Sequence, residues 1–179
     1  MIFAVVGPSG AGKDTLIAGA CATQPELRLV RRVITRPVAA GGEDFEGVGE
    51  TEFLQRRAAG EFALDWQAHG LWYGIPAAQL EGEKPVLFNG SRAALPAALA
   101  LIPGLVVVLV TAPPAVLAAR LAARGRESLE DVRGRLERAG FALPDGVEPR
   151  IVVNDASHEE GITRFLAAVY PDNGKRCSR

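Results

Sequence analysis

The segment Gly7-Pro8-Ser9-Gly10-Ala11-Gly12-Lys13-Asp14-Thr15 sets three glycines, one ammonium and one carboxylate between an apolar run, Ile2 to Val6, and a helical pattern that begins at Lys13 and runs to about Ala22. Glycines at these places let the backbone turn with several amide N–H groups pointing inward. Those groups, together with the positive end of the following helix, hold phosphate oxygens. Lys13 adds a point charge for the terminal phosphates. The spacing predicts a polyphosphate site over Gly7 to Thr15. Asp14 stands where Ser or Thr normally follows the lysine, and two roles are open to it. It can ligate Mg2+, directly or through water, while Thr15 bonds a phosphate, or it can serve only as a first-turn acid that complements the helix dipole. No strand ends in the acidic residue of a second magnesium motif, since Val86 to Phe88 is followed by Asn89. The ion is therefore expected to be held mostly by phosphates and water.

The elements that must position this loop follow from the apolar patterning. Runs at Ile2 to Val6, Leu29 to Ile34, Val86 to Phe88, Leu105 to Val110 and Ile151 to Val153 read as strands. Helical patterns separate most of them, at Glu50 to Ala59, Ser91 to Leu101, Pro114 to Ala123, Leu129 to Ala139 and His158 to Ala168. Such alternation predicts an α/β fold with a mainly parallel sheet flanked by helices, because parallel strands need crossovers. Pro37 to Gly49 has no period and reads as a mobile loop; Pro171 to Arg179 reads as a frayed tail.

Composition sets the outer limits. A chain of 179 residues with 48% hydrophobic and 23% charged content is the size of one domain and can bury a core. The formal net charge of -1 creates no global field for nucleic acid or a membrane surface. Three lysines, Lys13, Lys84 and Lys175, leave 17 of the 20 basic residues as arginine, so arginine carries most of the anion chemistry. Cys21 and Cys177 suit neither a disulfide framework nor a metal site. The apolar run after Met1 is too short for a secretory leader or a membrane span, and a cytoplasmic location is expected.

Downstream of the loop stand VITRP (Val33 to Pro37), Gly42-Glu43, FALDWQAHGLWYGIP (Phe62 to Pro76), LFNGSR (Leu87 to Arg92), RLAARGRES (Arg120 to Ser128) and RGRLERA (Arg133 to Ala139). In this order they resemble the guanylate kinase family, from Ile2 to about Tyr170. The resemblance implies a P-loop nucleoside triphosphate hydrolase fold in a single domain over 1–170, with an acceptor-binding hairpin insertion over about 35–84 and an arginine-rich lid over about 120–138. It implies that Arg36 and Tyr73 grip the acceptor phosphate and that Asn154, followed by Asp155, lies where adenine is held. Arg124 and Arg126, with Arg135 on the next helix, would close over the transferring phosphoryl group; Arg120 and Arg138 are lesser candidates.

Departures from that pattern bear on the acceptor. Gln67 matches a guanine-reading glutamate but cannot accept two hydrogen bonds from the base as a carboxylate does. Ala39 matches a second phosphate-binding arginine, and Val48-Gly49 lies near the place of a missing tyrosine. A polar contact of this kind discriminates by several powers of ten, so its loss argues against GMP. Asn89 to Arg92, in place of an aspartate-containing stretch, adds a cation and removes an acid, although Asn or Ser there can also simply cap a helix. The four segments together resemble the ribose 1,5-bisphosphate phosphokinases, guanylate kinase relatives of phosphonate degradation. That resemblance implies transfer from ATP, with Mg2+, to ribose 1,5-bisphosphate, giving ADP and phosphoribosyl diphosphate. Asn89, Arg92, Gln67, Arg36 and Tyr73 are then the acceptor-side residues. The anomeric phosphate is already an anion and needs no general base. Alternatives are a guanylate or other nucleoside monophosphate kinase, and a non-catalytic guanylate-kinase-like binding module. ATP and a small phosphorylated sugar are the expected partners, with monomer and homodimer both open.

Overall fold

The computed structural model describes residues 1–37, 44–123 and 143–171. The loop's position is set by β1 (Ile2–Val6), four of whose five residues, Phe3 to Val6, are fully buried. They are apolar in succession because helices or strands cover both faces of the sheet. Phe3 and Val5 join one core cluster with Leu16, Ile17 and Ala20 of α1 (Lys13–Thr23) and Phe165 of α6 (His158–Val169). Ala4 and Val6 join a second cluster on the opposite face, with Leu95 and Ala98 of α4 (Leu95–Leu101).

Around β1 the strands β2 (Arg28–Leu29), β7 (Val86–Asn89), β8 (Val106–Thr111) and β9 (Arg150–Val153) form a five-stranded sheet in the order β2-β7-β1-β8-β9. Every pairing is parallel. α5 (Pro114–Ala123) follows β8, with Pro114 at its first position where a missing amide hydrogen is harmless. Ser157 caps α6 by accepting from Glu160 N at 3.2 Å. The expected helix from Ser91 opens as a tight 3-10 turn, Arg92–Ala94, and continues as α4. Expected helix Leu129 to Ala139 lies outside the described residues. Among the described residues, no helix is long and apolar enough to cross a membrane.

A second, four-stranded sheet holds the hairpin sequence: β4 (Phe45–Gly47), β3 (Arg32–Ile34), β6 (Leu71–Pro76) and β5 (Phe62–Ala68), in that spatial order. Two expectations are corrected here. The run Leu29 to Ile34 is two strands in two sheets: Leu29 pairs Leu87 in the parallel sheet, whereas Val33 pairs Gly74 in the second. Val30 still donates its N–H to Leu87 O at 2.8 Å, and Arg31 turns the chain by exchanging bonds with the Gln79 side chain of α3 (Ala77–Leu80). The stretch Pro37 to Gly49 is also not loop throughout, since Phe45–Gly47 pairs in parallel with β3; residues 38–43 lie outside the described residues.

The β5–β6 hairpin turns through two residues, His69 (φ 53°) and Gly70 (φ 75°). Both left-handed, they match the twist of the flanking strands. A register shift between Phe62 and Leu64 carries the Phe62 ring over Gly74, where a Cβ would stand 2.8 Å from the ring. There Phe62 stacks on Phe53 of α2 (Glu50–Ala58), which also stacks on Trp72. The opposite face sends Leu64 and Ile75 into the second core cluster. The hairpin is thereby fixed on both faces, and its tip overhangs the phosphate loop.

Candidate active site

The loop leaves β1 at Gly7, where a Cβ would stand 1.9 Å from the Val110 carbonyl oxygen; only glycine allows β1 and β8 to approach so closely there. At the other end Gly12 has φ 88° and caps α1. Between them the Ala11 carbonyl accepts from Asn154 Nδ2 at 2.7 Å and from an Arg120 N–H at 3.4 Å. Because C=O and N–H oppose one another across a trans peptide, this pins the Gly12 N–H away from both donors. The Lys13 ammonium folds back over the loop, donating to Gly7 O at 3.0 Å and Pro8 O at 3.3 Å.

In front of the loop lies a cavity of about 420 Å³. Lys13, Asp14 and Ser9 form one wall, Trp66, His69 and Tyr73 of the hairpin another, and Asn89 to Arg92 the floor. Asn89 and Arg92 stand here because β7 runs parallel to β1 with Asn89 beside Val5, so its C-terminal end meets the loop. Asn89 Nδ2 donates to Asp14 Oδ1 at 2.7 Å, and the Asn89 carbonyl accepts from Arg32 at 2.7 Å. Arg32, 7% exposed, lies 5.2 Å from the Tyr73 ring centre and 5.9 Å from that of Trp66. Those two rings stack at 5.3 Å, nearly parallel. Burial pulls the Arg92 guanidinium below its ordinary value, as desolvation does to any cation.

The structure thus brings together Gly7, Pro8, Ser9, Lys13, Asp14, Tyr73, Asn89 and Arg92 around one space. Thr15 is exposed on the first turn of α1. Gly10 and Ala11 belong to the loop's underside: Ala11 is fully buried, and Gly10 packs toward the Leu121 side chain. Asn154, 6% exposed, spends its amide on the loop backbone. Arg36 lines an adjoining cleft with Pro37, Gly49 and Gly70, its guanidinium 4.3 Å from the Phe45 ring centre. Gln67 is exposed; strand alternation puts it on the face opposite Trp66 and Ala68, beside its partner Trp72. Arg124, Arg126, Arg135 and Arg138 lie outside the described residues.

Sequence reasoning missed Arg32, Trp66 and His69. A signal for Arg32 was present: a charged residue one position ahead of the buried pair Val33-Ile34 has to be solvated by something inside the fold. Among the described residues, no group of three or more His, Cys, Asp or Glu could hold a metal ion. Asp14 is the cavity's one acid there. That fits magnesium, which binds through one or two carboxylates plus phosphates and keeps several waters.

A parallel sheet with a glycine-rich loop after its central strand, facing a cation-lined cavity under a hairpin, defines the class: a P-loop kinase fold of the guanylate kinase type. The guanylate kinase of Anaplasma phagocytophilum superposes with a TM-score of 0.70 at 19% identity, over 99% of this chain and 88% of that one. A gluconokinase from Sinorhizobium meliloti 1021 superposes at 0.54 and 16%, over 99% and 97%. Identity at that level shows the fold alone. No family model matches. Sequence relatives are closer. The ribose 1,5-bisphosphate phosphokinase PhnN of Ruegeria sp. is 52% identical over 82% of this chain and 78% of its own length. The protein of the same name from Agrobacterium fabrum is 47% identical over 89% and 90%. A bifunctional ribose 1,5-bisphosphokinase-thymidine phosphorylase of Cupriavidus pinatubonensis is 50% identical over 93% of this chain, which spans 29% of that longer protein. The chain belongs to the ribose 1,5-bisphosphate phosphokinase family.

Proposed function

We propose that this protein transfers the γ-phosphoryl group of ATP to the anomeric phosphate of ribose 1,5-bisphosphate, releasing ADP and phosphoribosyl diphosphate. The observation that carries the reading is the make-up of the 420 Å³ cavity. Lys13 shares it with Arg32, Arg92 and Tyr73, and among the described residues Asp14 is its one acid. Such a lining favours an acceptor rich in negative charge. The relatives' names point to the same substrate.

In this reaction an oxygen of the anomeric phosphate attacks the γ-phosphorus, a new P–O bond forms, and the bond to the β,γ-bridging oxygen breaks with its electrons leaving on ADP. The attacking oxygen carries no proton near neutral pH, so the site needs no general base. Its work is alignment and charge compensation. The loop amides and Lys13 hold the polyphosphate, while Tyr73, Asn89 and Arg92 orient the acceptor. Asp14 would be the candidate protein ligand for magnesium, which, when bound, would offset charge on the polyphosphate. Arg124, Arg126 and Arg135 are proposed to close over the transferring group and exclude water.

The test is ADP release by the purified protein with MgATP and either ribose 1,5-bisphosphate or GMP. Faster turnover with the ribose ester is expected. Faster turnover with GMP would overturn the proposal.

A further inference from the structure

We infer that Arg32 is a specificity residue: its guanidinium binds the phosphate of the acceptor that is not attacked. The inference rests on the proposed reaction, in which one acceptor phosphate must sit against the loop and Lys13, in line with the phosphoryl donor. The other phosphate must then lie farther along the cavity, and a second cation must receive it. Arg32 occupies the hairpin side of that space. It is carried on the same face of β3 as Ile34, whose strand partner is Tyr73, so strand alternation turns it toward the Trp66–Tyr73 stack.

Its setting is that of a prepared anion receptor. Arg32 is 7% exposed and still reaches the cavity. One N–H is fixed on the Asn89 carbonyl at 2.7 Å, and the guanidinium carbon lies 5.2 Å from the Tyr73 ring centre and 5.9 Å from that of Trp66, within cation–π range of both. A planar guanidinium held in this way matches two oxygens of one phosphate and gives up little rotamer entropy on binding. Arg36, which the family resemblance assigns to the acceptor, lines the adjoining cleft instead. Arg32 is therefore the β3-side cation that shares a cavity with Tyr73. A monophosphate acceptor would leave it facing no ligand, which makes it a device for preferring a bisphosphate.

Two acceptors differing only in that phosphate, ribose 1,5-bisphosphate and ribose 1-phosphate, separate this role from a structural brace. In Arg32→Gln the KM for the bisphosphate should rise on the order of ten- to a hundredfold, the loss expected for a charged hydrogen-bonded contact. The loss of kcat/KM on ribose 1-phosphate should be at least about tenfold smaller, and the KM for ATP should stay near that of the parent. Equal losses on both acceptors would overturn the inference. Arg32→Lys keeps the charge and loses the fork, so it carries the test should the Gln variant fail to fold; it should raise the KM for the bisphosphate alone. Binding without turnover is read from Trp66 fluorescence in a Trp72→Phe background, where Trp66 is the sole tryptophan. A saturable signal with ribose 1,5-bisphosphate that is lost in Arg32→Gln supports the inference; a signal retained in that variant overturns it. A parent that binds the bisphosphate but does not turn it over would overturn the reaction and leave the receptor standing.

Discussion

Asn89 donates its side-chain amide to Asp14 across 2.7 Å while its own carbonyl accepts from Arg32 at the same distance. One residue at the end of β7 therefore joins the first turn of α1 to the buried arginine of the four-stranded sheet.

The donor half of that link bears on metal use. If Asp14 ligates magnesium, Asp14→Ala should raise the magnesium concentration needed for half-maximal velocity. Asn89→Ala, which removes the group orienting that carboxylate, should do so by roughly tenfold, as loss of an outer partner does. A magnesium titration of steady-state rate checks both. Unchanged dependence in Asp14→Ala would make it a partner of the helix dipole only.

Lys13→Ala should abolish the heat of MgATP binding in calorimetry on the folded protein. The ammonium now rests on the Gly7 and Pro8 carbonyls and has no substitute in the loop. A variant that binds like its parent would remove the loop from the nucleotide site.

For Arg92, already partly desolvated, removal of charge should weaken the acceptor and spare the nucleotide. Arg92→Gln should raise the KM for ribose 1,5-bisphosphate about tenfold or more, with the KM for ATP nearly unchanged. Equal rises would place the residue elsewhere in the reaction.

Asn154→Ala should lower stability by about 1–3 kcal/mol, because the Ala11 carbonyl loses a buried donor. Thermal unfolding measures the loss, and the KM for ATP should rise with it as the loop loosens. A change in KM with no change in melting would instead mark Asn154 as a nucleotide contact.

How much of this was legible beforehand depended on the range of the interaction. β1, the loop and α1 follow one another in the chain, so glycine spacing and apolar runs sufficed, and Ile2–Val6 forms the strand expected of it. Pro114 and Ala123 bound their helix as expected. The division of Leu29 to Ile34 between two sheets was not legible: apolar content states that residues are buried and is silent on what they are buried against. Strand Phe45–Gly47 escaped for a similar reason, being three residues long and supported by pairing with β3. In the cavity, Tyr73, Asn89 and Arg92 stand together. Gln67 does not join them, because the hairpin's two faces serve different spaces and a linear motif carries no face; Arg36, past the end of β3, lines the adjoining cleft. Arg32 was passed over because its partners, Asn89, Trp66 and Tyr73, stand far from it in the chain.

The crossing from Leu29 to Arg32 also acts as a ruler. Two residues, Val30 and Arg31, span the gap between a strand of the five-stranded sheet and a strand of the four-stranded one, and both are tied down. Side chains alternate along β3, so a chain one residue longer or shorter at this step would have to bulge out or present Val33 where Arg32 now stands. The charge selection proposed for Arg32 is thus written partly as a length, and an insertion that alters no site residue would be enough to erase it.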